Sequence, residues 1–362
     1  MHELALPLLI GLIAVALAFD FLNGLHDAAN SIATVVGTRL ISPVGAVAFA
    51  AFFNFAAYFL ALKWPSLHNV ADTIGKGLID KDVVTPAVVF GALIGAMFWN
   101  IVTWIKGIPS SSSHALVGGI VGAGVAHAGF PSIQWLGLNK TLIAIVLSPL
   151  LGLILTMAIM LVTSWLGVRA SARGSERTFR GLHLVSSGTL SLSHGLNDAQ
   201  KTMGLITVLL YSTGYLKGHF EVPNWVALSC YVAMGLGTLT GGWRVIETMG
   251  TRITKLSQHQ GFSASAGASV MLFAASALGI PVSTTHTVTG CVIGAGAARR
   301  ASAVRWGVAG DVAVAWVITI PASATVAALF YCLISAKFVP VIIAVAIVAA
   351  IAIAARAFRP RD

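Results

Sequence analysis

Two aspartates sit in apolar surroundings at matching places in two similar motifs. Asp27 lies within residues 23–30 (Asn-Gly-Leu-His-Asp-Ala-Ala-Asn) and Asp198 within residues 194–201 (His-Gly-Leu-Asn-Asp-Ala-Gln-Lys). An ionisable group in an apolar run is costly and by default functional. A carboxylate beside amide side chains binds a cation such as Na⁺, or carries a proton once desolvation raises its affinity for one. Asn23, Asn30 and Asn197 supply the neighbouring oxygens, so Asp27, Asn30, Asn197 and Asp198 are candidate cation or proton sites, with Asn23 a further candidate. The competing reading is a buried acid that merely bonds to backbone N–H groups. Lys201 stands where the first motif has Asn30. Its ammonium is placed to pair with Asp198 and fill the space of a mobile cation; the alternative is that it snorkels to the interface. This substitution favours protons over Na⁺ for coupling.

A second pair of motifs carries hydroxyls. Residues 107–114 read Gly-Ile-Pro-Ser-Ser-Ser-Ser-His, and residues 279–286 read Gly-Ile-Pro-Val-Ser-Thr-Thr-His. Proline followed by Ser or Thr is a helix-start pattern, with the hydroxyls as caps. Helix starts expose N–H groups and partial positive charge, which suit anions. Two such starts facing one another would hold an anion with Ser111, Ser112, Ser113, Ser283, Thr284 and Thr285, without Arg or Lys in either segment. Capping alone, or bonds to carbonyls one turn back, is the plainer alternative. His114 and His286 close the two segments and either touch the anion, shuttle protons or fix the turn.

These motifs recur at a near-constant offset. The aspartate motifs are separated by 171 residues and the hydroxyl motifs by 172, and 9 of 18 positions are identical between 107–124 and 279–296. Pro149 and Pro321 fall in the same register. The reading is a duplication: repeat one over 1–168, a basic linker over 169–181, repeat two over 182–334, and a C-terminal span and basic tail over 335–362. The linker, with four arginines and one glutamate, is expected in the cytoplasm. Residues 127–139 lack Lys and Arg whereas 299–305 hold three arginines, so equivalent loops would lie on opposite sides and the repeats would be inverted.

The elements that carry these residues must be membrane helices. Of 362 residues, 57% are hydrophobic and 9% charged, with 22 Lys and Arg against 12 Asp and Glu. That composition excludes a soluble enzyme, a disordered chain and a nucleic-acid binder, because the basic residues sit between apolar runs rather than on one folded face. At about 20 residues per span there is room for roughly ten to twelve. The expected fold is an all-α polytopic membrane protein of two inverted repeats of about 170 residues, with broken or re-entrant helices. Polar breaks at 23–30 and 110–114 separate runs too short to cross alone. The N-terminal run reads as a first span rather than a cleaved signal. Asp20 and Asp311 also lie in apolar runs and take a scaffold, gate or transport role. Glu247, beside Arg244, reads as half of an interfacial ion pair. Cys230, Cys291 and Cys332 read as core residues, since no metal spacing or disulfide framework links them.

Paired interruptions in inverted repeats mark a secondary transporter with its site at the repeat interface. A channel fits less well, since channels need rings of weak sites. An intramembrane enzyme lacks a nucleophile with an aligned base, so no catalytic residue is expected.

The motifs resemble the inorganic phosphate transporter (PiT) family, over nearly the whole chain and most closely its bacterial low-affinity branch, which carries lysine in the second motif. Residues 241–244 (Gly-Gly-Trp-Arg) are a further family-like feature. The resemblance implies symport of inorganic phosphate with H⁺ or Na⁺, including neutral metal–phosphate complexes in the bacterial branch, across the cytoplasmic membrane. It also implies inverted repeats, a dimer, no resident cofactor, and phosphate held by Ser111, Ser112, Ser113, Ser283, Thr284 and Thr285. Asn54 stands where some members have a glutamate. Sulfate has the same shape as phosphate, and neutral hydroxyls alone do not separate the two, so a sulfate permease of the same fold is the alternative.

Overall fold

The computed structural model describes residues 5–64, 69–167, 171–216 and 221–335. Among these the chain is built of helices: α1 (Leu6–Gly37), α2 (Pro43–Lys63), α3 (Asn69–Lys76), α4 (Pro86–Lys106), α5 (Ser112–Ala128), α6 (Trp135–Leu166), α7 (Ala172–Ser212), α8 (Asn224–Thr240), α9 (Trp243–Glu247), α10 (Gln258–Ala277), α11 (Thr284–Arg299) and α12 (Trp306–Ser335). Helices are what an apolar solvent demands, because each closes its own backbone hydrogen bonds. Five of them, α1, α2, α4, α6 and α12, are long and apolar enough to cross a membrane by length and composition alone. α8 with the segment after it passes the same test as a pair, bent by 69° at a short break, which makes six if the pair is one span. The remaining long helices, α5, α7, α10 and α11, are shorter or carry polar faces. They supply much of the polar interior, and the described residues hold five or six helices that pass this test, against the ten to twelve spans expected from composition. The apolar run at 338–357 lies outside the described residues.

The outer faces of the bundle are apolar, and its interior combines two hydrophobic clusters with many buried polar groups. Leu147, Leu151, Ile154 and Trp165 of α6, and Val314, Val317 and Ile318 of α12, face outward. Asp20, Asp27, Asp198, Lys201 and many hydroxyls are buried. Small residues let helices close over this interior. A Cβ on Gly195 of α7 would lie 2.5 Å from the Asn54 carbonyl oxygen of α2, and one on Gly118 of α5 would lie 2.5 Å from the Ile320 carbonyl oxygen of α12.

Two hairpins turn back inside the protein. Gly107 ends α4 with φ 66°, and Gly279 follows α10 with φ 65°; both angles are in the left-handed region that glycine adopts without strain. The chain then runs unwound through Pro109–Ser111 and Pro281–Ser283 before α5 and α11 begin. Non-helical backbone survives at membrane depth only inside protein, and Ser110, Ser111 and Ser283 are indeed buried. The segments beyond the two hairpins dock at separate places. Ile133, beyond α5, bridges to Ile79, whereas Arg305, beyond α11, bonds through its N–H to the Ile253 carbonyl. α7 joins these places: His183 bonds to Gln258 near one, and Gly204 packs on Ala71 near the other, about 31 Å apart along the helix axis.

Three expectations change. The polar stretch 23–30 is not a break, since α1 is one continuous helix of 32 residues. Its polar groups are satisfied or enclosed by neighbouring helices, so the backbone has no reason to unwind. Nor is 169–181 a loop throughout. Ser171 caps α7 by accepting from the Gly174 N–H, and the helix runs on from Ala172 for 41 residues. Cys332 is exposed on α12, whereas Cys230 and Cys291 are buried.

Candidate functional site

On α1, Asp20, Asn23, Asp27, Asn30 and Thr34 recur at three- and four-residue steps. They therefore form one polar stripe, and all five are buried. On α7, His194, Asn197, Asp198 and Lys201 follow the same spacing and are also buried. The starts of α5 and α11 complete the enclosure. Ser111 caps α5 by accepting from the His114 N–H, and Ser283 caps α11 by accepting from the His286 N–H. Capping and site-building thus divide between neighbours: Ser111 and Ser283 cap, Ser110 bonds to Thr319, and Ser112, Ser113, Thr284 and Thr285 turn to the carboxylates and Lys201.

The hydroxyl contacts of the two carboxylates match in part, and Lys201 breaks the match. Ser112 donates to Asp27 Oδ2 at 2.7 Å, and its counterpart Thr284 donates to Asp198 Oδ2 at 3.0 Å. Thr285 reaches Asp27 Oδ1 at 3.4 Å. The counterpart contact, Asp198 with Ser113, is instead bridged by the Lys201 ammonium, which pairs with Asp198 Oδ1 and donates to Ser113 Oγ at 2.5 Å. Asn30 donates to Thr284 and Thr285 at 3.1 and 3.0 Å. Lys201 therefore occupies in the second half the place Asn30 has in the first. It is 1% exposed and also reaches the Val282 carbonyl at 3.3 Å. The reading in which it snorkels to the interface is ruled out.

Two histidines that the motif reading left without a role stand beside the carboxylates. His26 Nδ1 lies 2.9 Å from Asp27 Oδ1, and its Nε2 lies 3.1 Å from Thr103 Oγ1. His194 Nε2 lies 3.2 Å from Asp198 Oδ2, and its Nδ1 bonds to Asn54, which is held by Thr238. Asn54 thus orients His194. Both histidines were recoverable from sequence: His26 adjoins its acid, and His194 sits four residues before its own, one helical turn away.

Asp27, His194 and Asp198 each offer one atom within 4.8 Å of the others, a group able to hold a cation. Around it, the side-chain oxygens of Asn23, Asn30 and Asn197 are buried without a donor among the described residues. Buried acceptors are rarely left unmet. Oxygens of this kind, next to carboxylates, are hard-cation ligands.

Several candidates fall elsewhere. The His114 and His286 rings stand edge to face at 4.2 Å, Trp316 stacks on His286 at 3.8 Å, and neither ring bonds to a hydroxyl of the cluster among the described residues. They wedge the two hairpins together rather than line the hydroxyl cluster. Asn197 bonds to Ser276 at 3.3 Å and keeps its oxygen free. Asp20 receives a bond from Thr202 at 3.0 Å, seven residues along α1 from Asp27. Asp311 is exposed on α12 and takes no part in the site. Glu247 pairs with Arg252 at 2.9 Å rather than with Arg244, which bonds to the Ile105 carbonyl.

Comparison with known proteins follows the same lines. A model of the phosphate transporter family matches residues 23–327. A probable low-affinity inorganic phosphate transporter of Rhizobium meliloti (strain 1021) is 61% identical over 91% of this chain and 97% of its own length. A protein of the same description from Bacillus subtilis (strain 168) is 38% identical over 93% of this chain and 100% of its own. A solved structure described as the sodium-dependent phosphate transporter superposes with a TM-score of 0.81 at 25% identity, covering 91% of this chain and 99% of that one.

Proposed function

The chain belongs to the phosphate transporter family, a multi-pass membrane protein of phosphate transport rather than an enzyme, and on that premise we propose that it is a symporter working by alternating access. The observation that carries the reading is the matched pair of carboxylates, each capped by a hydroxyl from the start of a re-entrant helix.

Charge explains why phosphate would need company. The enclosed cluster holds two carboxylates against one ammonium. A dianion beside them is repelled unless protons or metal ions enter with it, since uncompensated charge in a low-dielectric interior is strongly disfavoured. Ser112, Ser113, Thr284 and Thr285 supply donors to phosphate once cations draw the carboxylates away. Ser111 and Ser283 hold the helix starts that aim N–H groups at it. Asp27, with Asn23, Asn30 and His26, forms the mobile-cation half. In the other half Lys201 is a built-in cation beside Asp198, which leaves Asn197 and His194 to serve a smaller site. This asymmetry favours protons as the coupling ion, with a divalent metal able to enter bound to phosphate at Asp27, His194 and Asp198.

Residues 1–168 and 182–334 read as inverted repeats that rock about this shared site. The excess of arginine near the starts of α7 and α12 orients that end toward the cytoplasm. The test is phosphate uptake in vesicles free of other phosphate carriers, with pH, Na⁺ and Mg²⁺ varied separately and sulfate as competitor. Uptake driven by an inward proton gradient without Na⁺ is expected. Strict Na⁺ dependence at fixed pH would overturn the proton assignment.

A further inference from the structure

Away from the transport site, at the end of the bundle where α10 and α12 begin and α11 ends, a cavity of about 320 Å³ opens between them. Lys255, Arg299, Arg300 and Arg305 line it together with Thr254, Gln260, Ser302 and Ala303. No carboxylate lines it, and among the described residues none of the four cations forms an ion pair. The nearby acid, Glu247, is already paired with Arg252.

Orientation along the membrane explains a basic loop but not a basic cavity. Cations that only mark the cytoplasmic side would spread apart to lower their mutual repulsion. Here the backbone holds them together. Arg305 N–H bonds to the Ile253 carbonyl, Thr254 Oγ1 donates to the Ala303 carbonyl at 3.1 Å, and Gln260 both closes the Ser257 capping box and donates to the Ala295 carbonyl at 2.8 Å. These bonds fix the walls, and Arg305 adds one guanidinium N–H to the Arg252 carbonyl at 3.4 Å; the guanidinium groups of Arg299 and Arg300 have no partner among the described residues and stay free for a ligand. A rigid concave site with several unpaired guanidinium groups recognises phosphate oxygens, which match the planar fork of arginine.

Position narrows the source. Trp306, next to Arg305, is 54% exposed, with its indole N–H on the Ala301 carbonyl. Beyond it along α12, Val314 and Val317 face outward. A tryptophan between a basic loop and an apolar face marks the headgroup level of a membrane. We propose that this cavity binds the phosphate group of an anionic phospholipid of the cytoplasmic leaflet. Such basic pockets between membrane helices are suited to anionic headgroups.

The test uses the full chain with two probes: phosphatidylglycerol, against phosphatidylcholine as control, and inorganic phosphate. Bound lipid is counted by native mass spectrometry, and phosphate bound beyond the first equivalent per chain by equilibrium dialysis. Arg299→Ala/Arg300→Ala should weaken phosphatidylglycerol binding by about 25-fold, roughly fivefold per arginine. Arg299→Lys/Arg300→Lys should retain most of it. Phosphate exchange by the alanine variant within about twofold of wild type would show that it is folded, since neither arginine touches the transport site. A loss confined to a second inorganic phosphate would support the same anion site with a soluble ligand. Wild-type binding of both probes by the alanine variant would overturn the proposal.

Discussion

Replacing Lys201 isolates the asymmetry between the two halves of the site. In Lys201→Met, Asp198 keeps Thr284 Oγ1 at 3.0 Å and His194 Nε2 at 3.2 Å but loses its cation. Breaking a buried ion pair from one side costs about 3–5 kcal/mol, because a charge is left stranded. With two partners remaining, the lower end applies. A loss of about 3 kcal/mol corresponds to roughly a 150-fold change in the folded-to-unfolded ratio. Equilibrium unfolding of the purified chain in mixed micelles reads this directly. Adding Asp198→Asn to the same chain removes the stranded charge and should restore about 2 kcal/mol, a coupling that a double-mutant cycle isolates. Lys201→Asn goes further, since it recreates the arrangement of Asn30. Na⁺ at ten times the dissociation constant of the new site should then stabilise this variant by about 1.4 kcal/mol beyond any effect on wild type. If Lys201→Met unfolds within 1 kcal/mol of wild type (roughly the scatter of neutral substitutions), or if Na⁺ acts equally on wild type and Lys201→Asn, then Lys201 does not stand in for a cation.

Other parts of the account have their own tests. Asp27→Asn leaves Ser112 and Thr285 without their charged acceptor and should lower coupled phosphate uptake in proteoliposomes by about 100-fold or more, as expected for a group that carries the coupling charge. Gly195→Ala would set a methyl group 2.5 Å from the Asn54 carbonyl oxygen; overpacking of this kind costs about 1–3 kcal/mol, which a fluorescence-detected thermal melt should show. Ser283→Ala removes the cap of α11 and should cost about 1 kcal/mol, whereas Ser283→Thr should retain it in the same melt. Asn54→Leu frees His194 Nδ1 and should weaken transport more than folding, seen as reduced uptake at wild-type yield.

The sequence read well where a signal was duplicated. The two Gly-Ile-Pro segments carried the unwound hairpins and their caps, because proline, hydroxyl and left-handed glycine each constrain the backbone locally. The facing of Asp27 and Asp198 followed from their shared register. Helix continuity through residues 23–30 was not legible, because polarity alone does not distinguish an unwound segment from a helix whose polar face is enclosed by partners. Only the packing of α1 against α7 and α8 decides that. For the same reason Asp20 and Asp311 looked alike in sequence, yet one is buried on the polar stripe of α1 and the other exposed on α12. For His114 and His286 the sequence left anion contact, proton transfer and fixing the turn open, and their contacts favour the last. Their mutual edge-to-face contact and the Trp316 stack join residues far apart in the chain, and no local pattern announces such a contact.

The central claim is that one enclosed site, shared by both halves, carries phosphate across by alternating access. Counterflow tests it most directly: labelled phosphate is added outside proteoliposomes loaded with unlabelled phosphate. The account predicts transient accumulation of label that depends on internal phosphate and disappears in Asp27→Asn and Asp198→Asn. Entry of label at the same rate with or without internal phosphate, or unchanged counterflow in both variants, would contradict it.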